Sequence, residues 1–160
     1  MTKSSIEVGS RAPEFKLMGT GGASYSLSQY LGKTVVLVFY PGDNTPVCTK
    51  QLCSYNNELA QFSNLDAQVL AISSQDLDSH EAFSKKHGFK FPLLADTDKQ
   101  VSADYGVLGL FGLFGLSRRS IFVIDAKGIV KYVHRAVTGV TFRRVGELTE
   151  AIANAQAGND

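Results

Sequence analysis

The sequence predicts an α/β fold in which a central mixed β-sheet is flanked by helices. Thr34–Phe39 and Ala67–Ser73 are β-branched apolar runs of the kind that form strands buried on both faces. Each is followed by a stretch with the three- and four-residue apolar spacing of a helix. Late in the chain, 120–125 and 129–134 are apolar runs separated by Ala126, Lys127 and Gly128, which together form a tight hairpin signal. Strand–helix alternation closed by a hairpin argues for one sandwich, and no linker or charge block divides residues 1–160 into a second domain.

In chain order, residues 1–31 read as irregular structure holding a short hairpin, 15–17 against 25–27, across a turn at 19–22. Residues 28–31 form a helical turn closed by Gly32. The strand at Thr34–Phe39 runs into Pro41, Gly42, Asp43 and Asn44, which is turn chemistry. Thr45 then reads as an N-cap, with Pro46 at the first helical position. Leu52, Tyr55, Leu59 and Phe62 mark one buried stripe of the helix that follows. Cys48, four residues before Leu52, heads that stripe and points inward, whereas Cys53 falls with Asn56, Asn57, Ala60 and Asn64 on the more polar face.

Beyond the second strand, Asp78 or Ser79 caps a helix through His87, stopped by Gly88. Residues 91–95 form a short strand, and Asp98 starts a brief helix through Tyr105. Val145, Leu148 and Ile152 are the apolar stripe of a C-terminal helix. Residues 106–116 form a Gly-Leu-Phe repeat that is too short to span a bilayer, and its glycines weaken any helix. Two readings stand: a loop folded over the core, or an apolar rim for a partner subunit, a reductant or a bulky substrate.

Composition narrows the function. Apolar content of 44% and charged content of 19% are ordinary for a globular protein of 160 residues with a sizeable core. A formal net charge of +1 gives no reason to expect nucleic acid or an anionic membrane as partner. Two cysteines are too few for a secreted disulfide framework, and the N-terminus lacks the apolar core of a signal peptide. The expectation is a cytoplasmic protein whose cysteine pair is catalytic or metal-binding. C-x4-C is not the usual short zinc spacing, and His80, His87 and His134 fall in separate elements, so solvated or structural histidines are expected and no metal site.

The chemistry concentrates on Cys48. In the first helical turn, free N–H groups and the helix dipole favour an anion, and such a cysteine can have its pKa lowered from about 8.5 to roughly 3.5–7.5. The bland alternative is a small apolar core residue. Full ionisation alone gains only about 2 kcal/mol at pH 7. Any catalysis by this thiol would therefore need neighbours that hold the substrate and stabilise charge as it develops.

Pro41-x-x-x-Thr45-x-x-Cys48 resembles the peroxidatic motif of peroxiredoxins, and a second cysteine at Cys53 is similar to the bacterioferritin comigratory (peroxiredoxin Q) subfamily. The resemblance runs from about Gly9 to His134 and includes Ala12, Pro13 and Phe15 early, and Arg119 to Asp125 late. It implies a thioredoxin-like fold and a thiol peroxidase acting on hydrogen peroxide and organic hydroperoxides. Cys48 would be the nucleophile and Cys53 the resolving cysteine. Pro41 would shield the thiolate, Thr45 would hold the peroxide, and Arg119 would be the active-site arginine, with Arg118 left solvated. The plain readings are a turn proline, a simple N-cap and a surface charge. The resemblance implies no metal, haem or flavin. The implied partner is a thioredoxin or similar dithiol reductant, and the chain would act as a monomer or weak homodimer.

Ideal helix geometry separates Cα atoms five residues apart by about 8–9 Å, beyond the roughly 7 Å that a disulfide tolerates. The Cys48–Cys53 bridge therefore demands unwinding of the first turns; otherwise Cys53 is inert and an external thiol resolves Cys48. Two other classes stay open. A thioredoxin-like disulfide reductase would be expected to carry C-x-x-C, and a non-enzymatic holdase would use the Gly-Leu-Phe repeat.

Overall fold

The computed structural model describes residues 6–108, 118–136 and 142–157. Among them, strands β1 (Lys16–Gly19), β2 (Ala23–Ser26), β3 (Thr34–Phe39), β4 (Ala67–Ser73), β5 (Leu93–Ala95), β6 (Ser120–Ile124) and β7 (Val130–Arg135) form one sheet in the order β2-β1-β5-β4-β3-β6-β7. β3, β4 and β5 run parallel; β6 lies antiparallel on β3, and β7 on β6. The sheet is mixed, as expected from the alternation and the hairpin. Every residue of β3 is buried, because helices or loops cover both of its faces.

The helices are α1 (Pro46–Asn57), α2 (Leu59–Ser63), α3 (Leu77–His87), α4 (Gln100–Asp104) and α5 (Val145–Ala157). The period-two alternation of the strands sorts the core into two halves. Val36 and Val38 of β3 and Val123 of β6 face Leu52, Tyr55, Phe62, Phe83, Leu148 and Ile152, from α1, α2, α3 and α5. Val35, Leu37, Phe39 and Phe122 face Phe15, Leu27, Val101 and Tyr105, from the N-terminal segment, a 3-10 turn at Leu27–Tyr30 and α4.

Several local expectations are corrected. The stripe from Cys48 to Phe62 is divided between two helices, because Glu58 leaves helical geometry at φ −108° and ψ 21°; Leu59 is accordingly half-buried. The cap of α3 is Asp76 rather than Asp78 or Ser79: its Oδ1 accepts from the Ser79 N–H at 2.8 Å. The brief fourth helix starts at Gln100, where the Asp96 carboxylate accepts from the Val101 and Ser102 N–H groups; Asp98 serves only Gln100 N–H. The early hairpin pairs Leu17 with Tyr25, so residues 16–19 meet 23–26. Gly88 takes the left-handed geometry expected of it, with φ 66°. The Gly-Leu-Phe repeat lies, from residue 109 on, outside the described residues.

Candidate active site

Sheet topology accounts for the site. β3 ends at Phe39, and antiparallel pairing sets Phe39 opposite Ser120, the first residue of β6. The residue before Ser120 and the loop after β3 therefore share one end of the sheet. Tyr40 to Thr45 form that loop and deliver Cys48 in the first turn of α1.

Cys48 is fully buried. Arg119, also buried, directs Nη2 to its Sγ at 3.3 Å and donates from Nη1 to Gln51 Oε1 at 2.5 Å. Gln51 in turn donates from Nε2 to Tyr55 Oη at 3.2 Å, and Tyr55 donates to the Arg143 carbonyl at 2.5 Å. The chain is consistent in direction, since guanidinium only donates and the Tyr55 proton is committed to Arg143. A guanidinium beside the sulfur attracts negative charge there, and the Gln51 contact limits its rotation.

Sequence reasoning missed Gln51. It lies three residues after Cys48 and one before Leu52, which puts it on the buried stripe, but its polarity disguised it. Burial pushes the Tyr55 hydroxyl well up, so it stays a neutral donor.

Thr45 is the N-cap by backbone geometry, yet its side chain makes no capping bond. Its hydroxyl donates instead to the Gly42 carbonyl at 3.0 Å. Thr45 is exposed and Pro41 half-buried. Asn44 supplies a left-handed residue, φ 63°, which asparagine tolerates better than most.

The loop is pinned from below. Tyr40 Oη donates to Asp43 Oδ1 at 2.6 Å, Ser79 Oγ donates to Oδ2 at 2.7 Å, and His80 Nδ1 meets Oδ2 at 2.6 Å. The Asp43 N–H also donates to Gln75 Oε1. His80 Nε2 lies 3.0 Å from the Leu94 carbonyl, so both ring nitrogens face acceptors. Burial works to raise the Asp43 carboxyl, but hydrogen bonds from His80, Tyr40 and Ser79 and the charge of His80 hold it below the usual range. Burial, then the Asp43 charge, drives the Tyr40 hydroxyl far up. His80 is thus structural and fully buried; the sequence marked Asp43 only as turn chemistry.

Arg118 is only partly solvated: half-buried, it donates from Nε to the Ala136 carbonyl at 2.7 Å rather than to Cys48. Cys53 is not on an open polar face either. Half-buried, it packs against the core beneath the end of α3, with Sγ 3.7 Å from His87 Nδ1. Both cysteines are free thiols, carried on the continuous helix α1. Burial pushes the Cys53 thiol up. Among the described residues, no group of three or more His, Cys, Asp or Glu is arranged to hold a metal ion.

Residues 8–133 match the AhpC/TSA family. The chloroplastic peroxiredoxin Q of Triticum aestivum is 42% identical over 130 residues, which are 81% of this chain and 59% of that protein. The putative peroxiredoxin bcp of Coxiella burnetii is 39% identical over 133 residues, covering 81% of this chain and 88% of that one. Among solved structures, peroxidoxin BcpB from Mycobacterium tuberculosis is similar with a TM-score of 0.81 at 30% identity, over 97% of this chain and 99% of that one. The chain matches about three-fifths of the length of its chloroplastic relatives. Its mixed sheet with helices on both faces is the thioredoxin-like fold of these structures. A family match across most of the chain, joined to this identity and fold, means that the chain belongs to the AhpC/TSA family and, within it, to the peroxiredoxin Q/bcp proteins.

Proposed function

We propose that this protein is a thiol peroxidase that reduces hydrogen peroxide and organic hydroperoxides. The observation that carries the reading is the 3.3 Å contact between Arg119 Nη2 and the buried Cys48 Sγ, at the start of a helix. In this reading Cys48 thiolate attacks the terminal peroxide oxygen, the O–O bond breaks, and the leaving oxygen takes up a proton as water or alcohol. Sulfur is oxidised to sulfenic acid while the peroxide is reduced.

Arg119 stabilises negative charge as it passes from sulfur to the leaving oxygen. Thr45, whose proton is committed to Gly42, keeps oxygen lone pairs with which to accept a hydrogen bond from the peroxide. Pro41 helps to hold the loop and exclude water. Cys53 then attacks the Cys48 sulfur, water leaves, and the resulting disulfide is reduced by an external thioredoxin-like dithiol. The cytoplasm, a reducing compartment, suits that cycle, and a monomer or weak homodimer suffices for it.

Peroxide consumption coupled to a thioredoxin system tests the proposal, with wild type and Cys48→Ser side by side. Serine is nearly isosteric and remains un-ionised at neutral pH, so the variant is expected to fold and to show no turnover. Substantial turnover by Cys48→Ser would exclude Cys48 as nucleophile. Insulin reduction by the wild type without peroxide consumption would point instead to a disulfide reductase.

A further inference from the structure

Cys53 and His87 form a pair that the peroxide step does not use. The pair is built. His87 is the last residue of α3, its ring set edge-on to Phe83 with centroids 5.2 Å apart and stacked on Phe89 at 5.5 Å. Phe89 stacks in turn on Phe91 at 5.4 Å, so the imidazole is positioned by an aromatic row. Its Nδ1 lies 3.7 Å from Cys53 Sγ, within reach of a sulfur hydrogen bond, and both side chains are half-buried.

The two halves of α1 are held differently. The C-terminal half is tied to the chain after α3 through Asn56: Nδ2 donates to the Gly88 carbonyl at 3.1 Å, and Oδ1 accepts from the Lys90 N–H at 2.8 Å. Leu52 and Tyr55 anchor the same half in the core. In the N-terminal half Cys48 and Gln51 are buried against Arg119, but Pro46 and Lys50 are exposed and Val47 and Thr49 are only half-buried. No side chain from Pro46 to Lys50 hydrogen-bonds to α3 or to residues 88–90 among the bonds described. When the helix unwinds to let the cysteines meet, the less anchored half moves. Movement of that half would bring Cys48 to Cys53 and leave Cys53 beside His87.

We propose that His87 is the proton acceptor for Cys53 when Cys53 resolves the oxidised nucleophile, so that the two residues act as a resolving dyad. The inference rests on the peroxidase reading above. Neutral His87, with its proton on Nε2, takes the thiol proton at Nδ1. The freed sulfur pair forms the S–S bond, and the S–O bond of the Cys48 sulfenic acid breaks. The departing hydroxide recovers a proton from the imidazolium and leaves as water. Cys53 sulfur is oxidised and Cys48 sulfur reduced, with no further reagent. Burial opposes spontaneous ionisation of the Cys53 thiol, which makes a neighbouring base useful.

Rapid mixing of reduced protein with peroxide, without reductant, separates two phases. Sulfenic acid formation depends on peroxide concentration; disulfide formation does not, and trapping of sulfenic acid with mass readout follows both. In His87→Gln the first phase is expected to stay within about twofold of wild type, and the second to slow by at least about tenfold. More sulfinic acid should accumulate in consequence. In His87→Ala, added imidazole should restore much of the second phase. An unchanged second phase in His87→Gln overturns the proposal. So does equal slowing of both phases, or failure of imidazole to rescue His87→Ala, since each marks a structural rather than a proton-accepting role. A wild type that forms no sulfenic acid refutes the peroxidase reading itself, a result distinct from all of these.

Discussion

Arg118 and Arg119 are adjacent, yet one binds a backbone carbonyl and the other a thiol. They diverge just ahead of β6: Arg119 turns inward to Cys48, while Arg118 reaches Ala136. Arg119→Ala is expected to lower the rate of the peroxide step at least about tenfold, or 1.4 kcal/mol of transition-state stabilisation. Arg118→Ala should leave that rate within about twofold and cost on the order of 1 kcal/mol of stability through its lost hydrogen bond. Single-turnover peroxide kinetics and urea melts on both variants check this, and a greater kinetic sensitivity of Arg118 would reverse the assignment. Arg119 could be picked from the sequence because it precedes a strand phenylalanine in a known pattern. Gln51 could not. A glutamine amid leucine and tyrosine looks like surface, and only the guanidinium arriving from β6 gives it a buried partner.

Helix α1 carries the argument about oxidation. Bringing Cys48 to Cys53 must break several backbone hydrogen bonds, each worth about 0.5–1.5 kcal/mol, and take Cys48 and Gln51 out of burial. A disulfide closing so short a loop returns only about 2 kcal/mol by chain entropy. The oxidised protein should therefore melt at a lower temperature than the reduced one. Amide exchange should rise on oxidation across 47–52 and much less beyond Tyr55, where Asn56 holds the end of α3. Equal protection in both redox forms would mean that no intramolecular bridge forms by unwinding. The start of α1 was evident from Thr45 and Pro46, and its buried stripe from apolar spacing. Its break at Glu58 was not, because the stripe continues in phase from Tyr55 to Phe62 across a residue with no helix-breaking chemistry.

The buried Asp43–His80 contact joins the site loop to α3 and links the stability of the whole molecule to acid. Because the folded carboxyl is held below its unfolded value, its stabilising contribution is complete above the unfolded value, near pH 4, and is lost as pH falls through the lower folded one. Urea midpoints should therefore fall between pH 6 and pH 3 more steeply in the wild type than in Asp43→Asn; parallel losses would show that this carboxylate does not set the acid limit. The strands, the helices and their alternation were open to prediction because period-two and period-3.6 patterns are local, whereas the strand order, with β1 beside β5 and β6 on β3, rests on long-range pairing. The Asp43–His80 tie was hidden, since it joins residues 37 apart that each look ordinary in their own segment. A still longer separation governs the thiol: Cys48 and its guanidinium are 71 residues apart. A chain emerging during synthesis carries Cys48 well before β6 exists to pair with β3. Until that antiparallel pairing closes, Cys48 has no guanidinium beside its sulfur. On the peroxidase reading, full reactivity toward peroxide would therefore await the docking of β6 on β3.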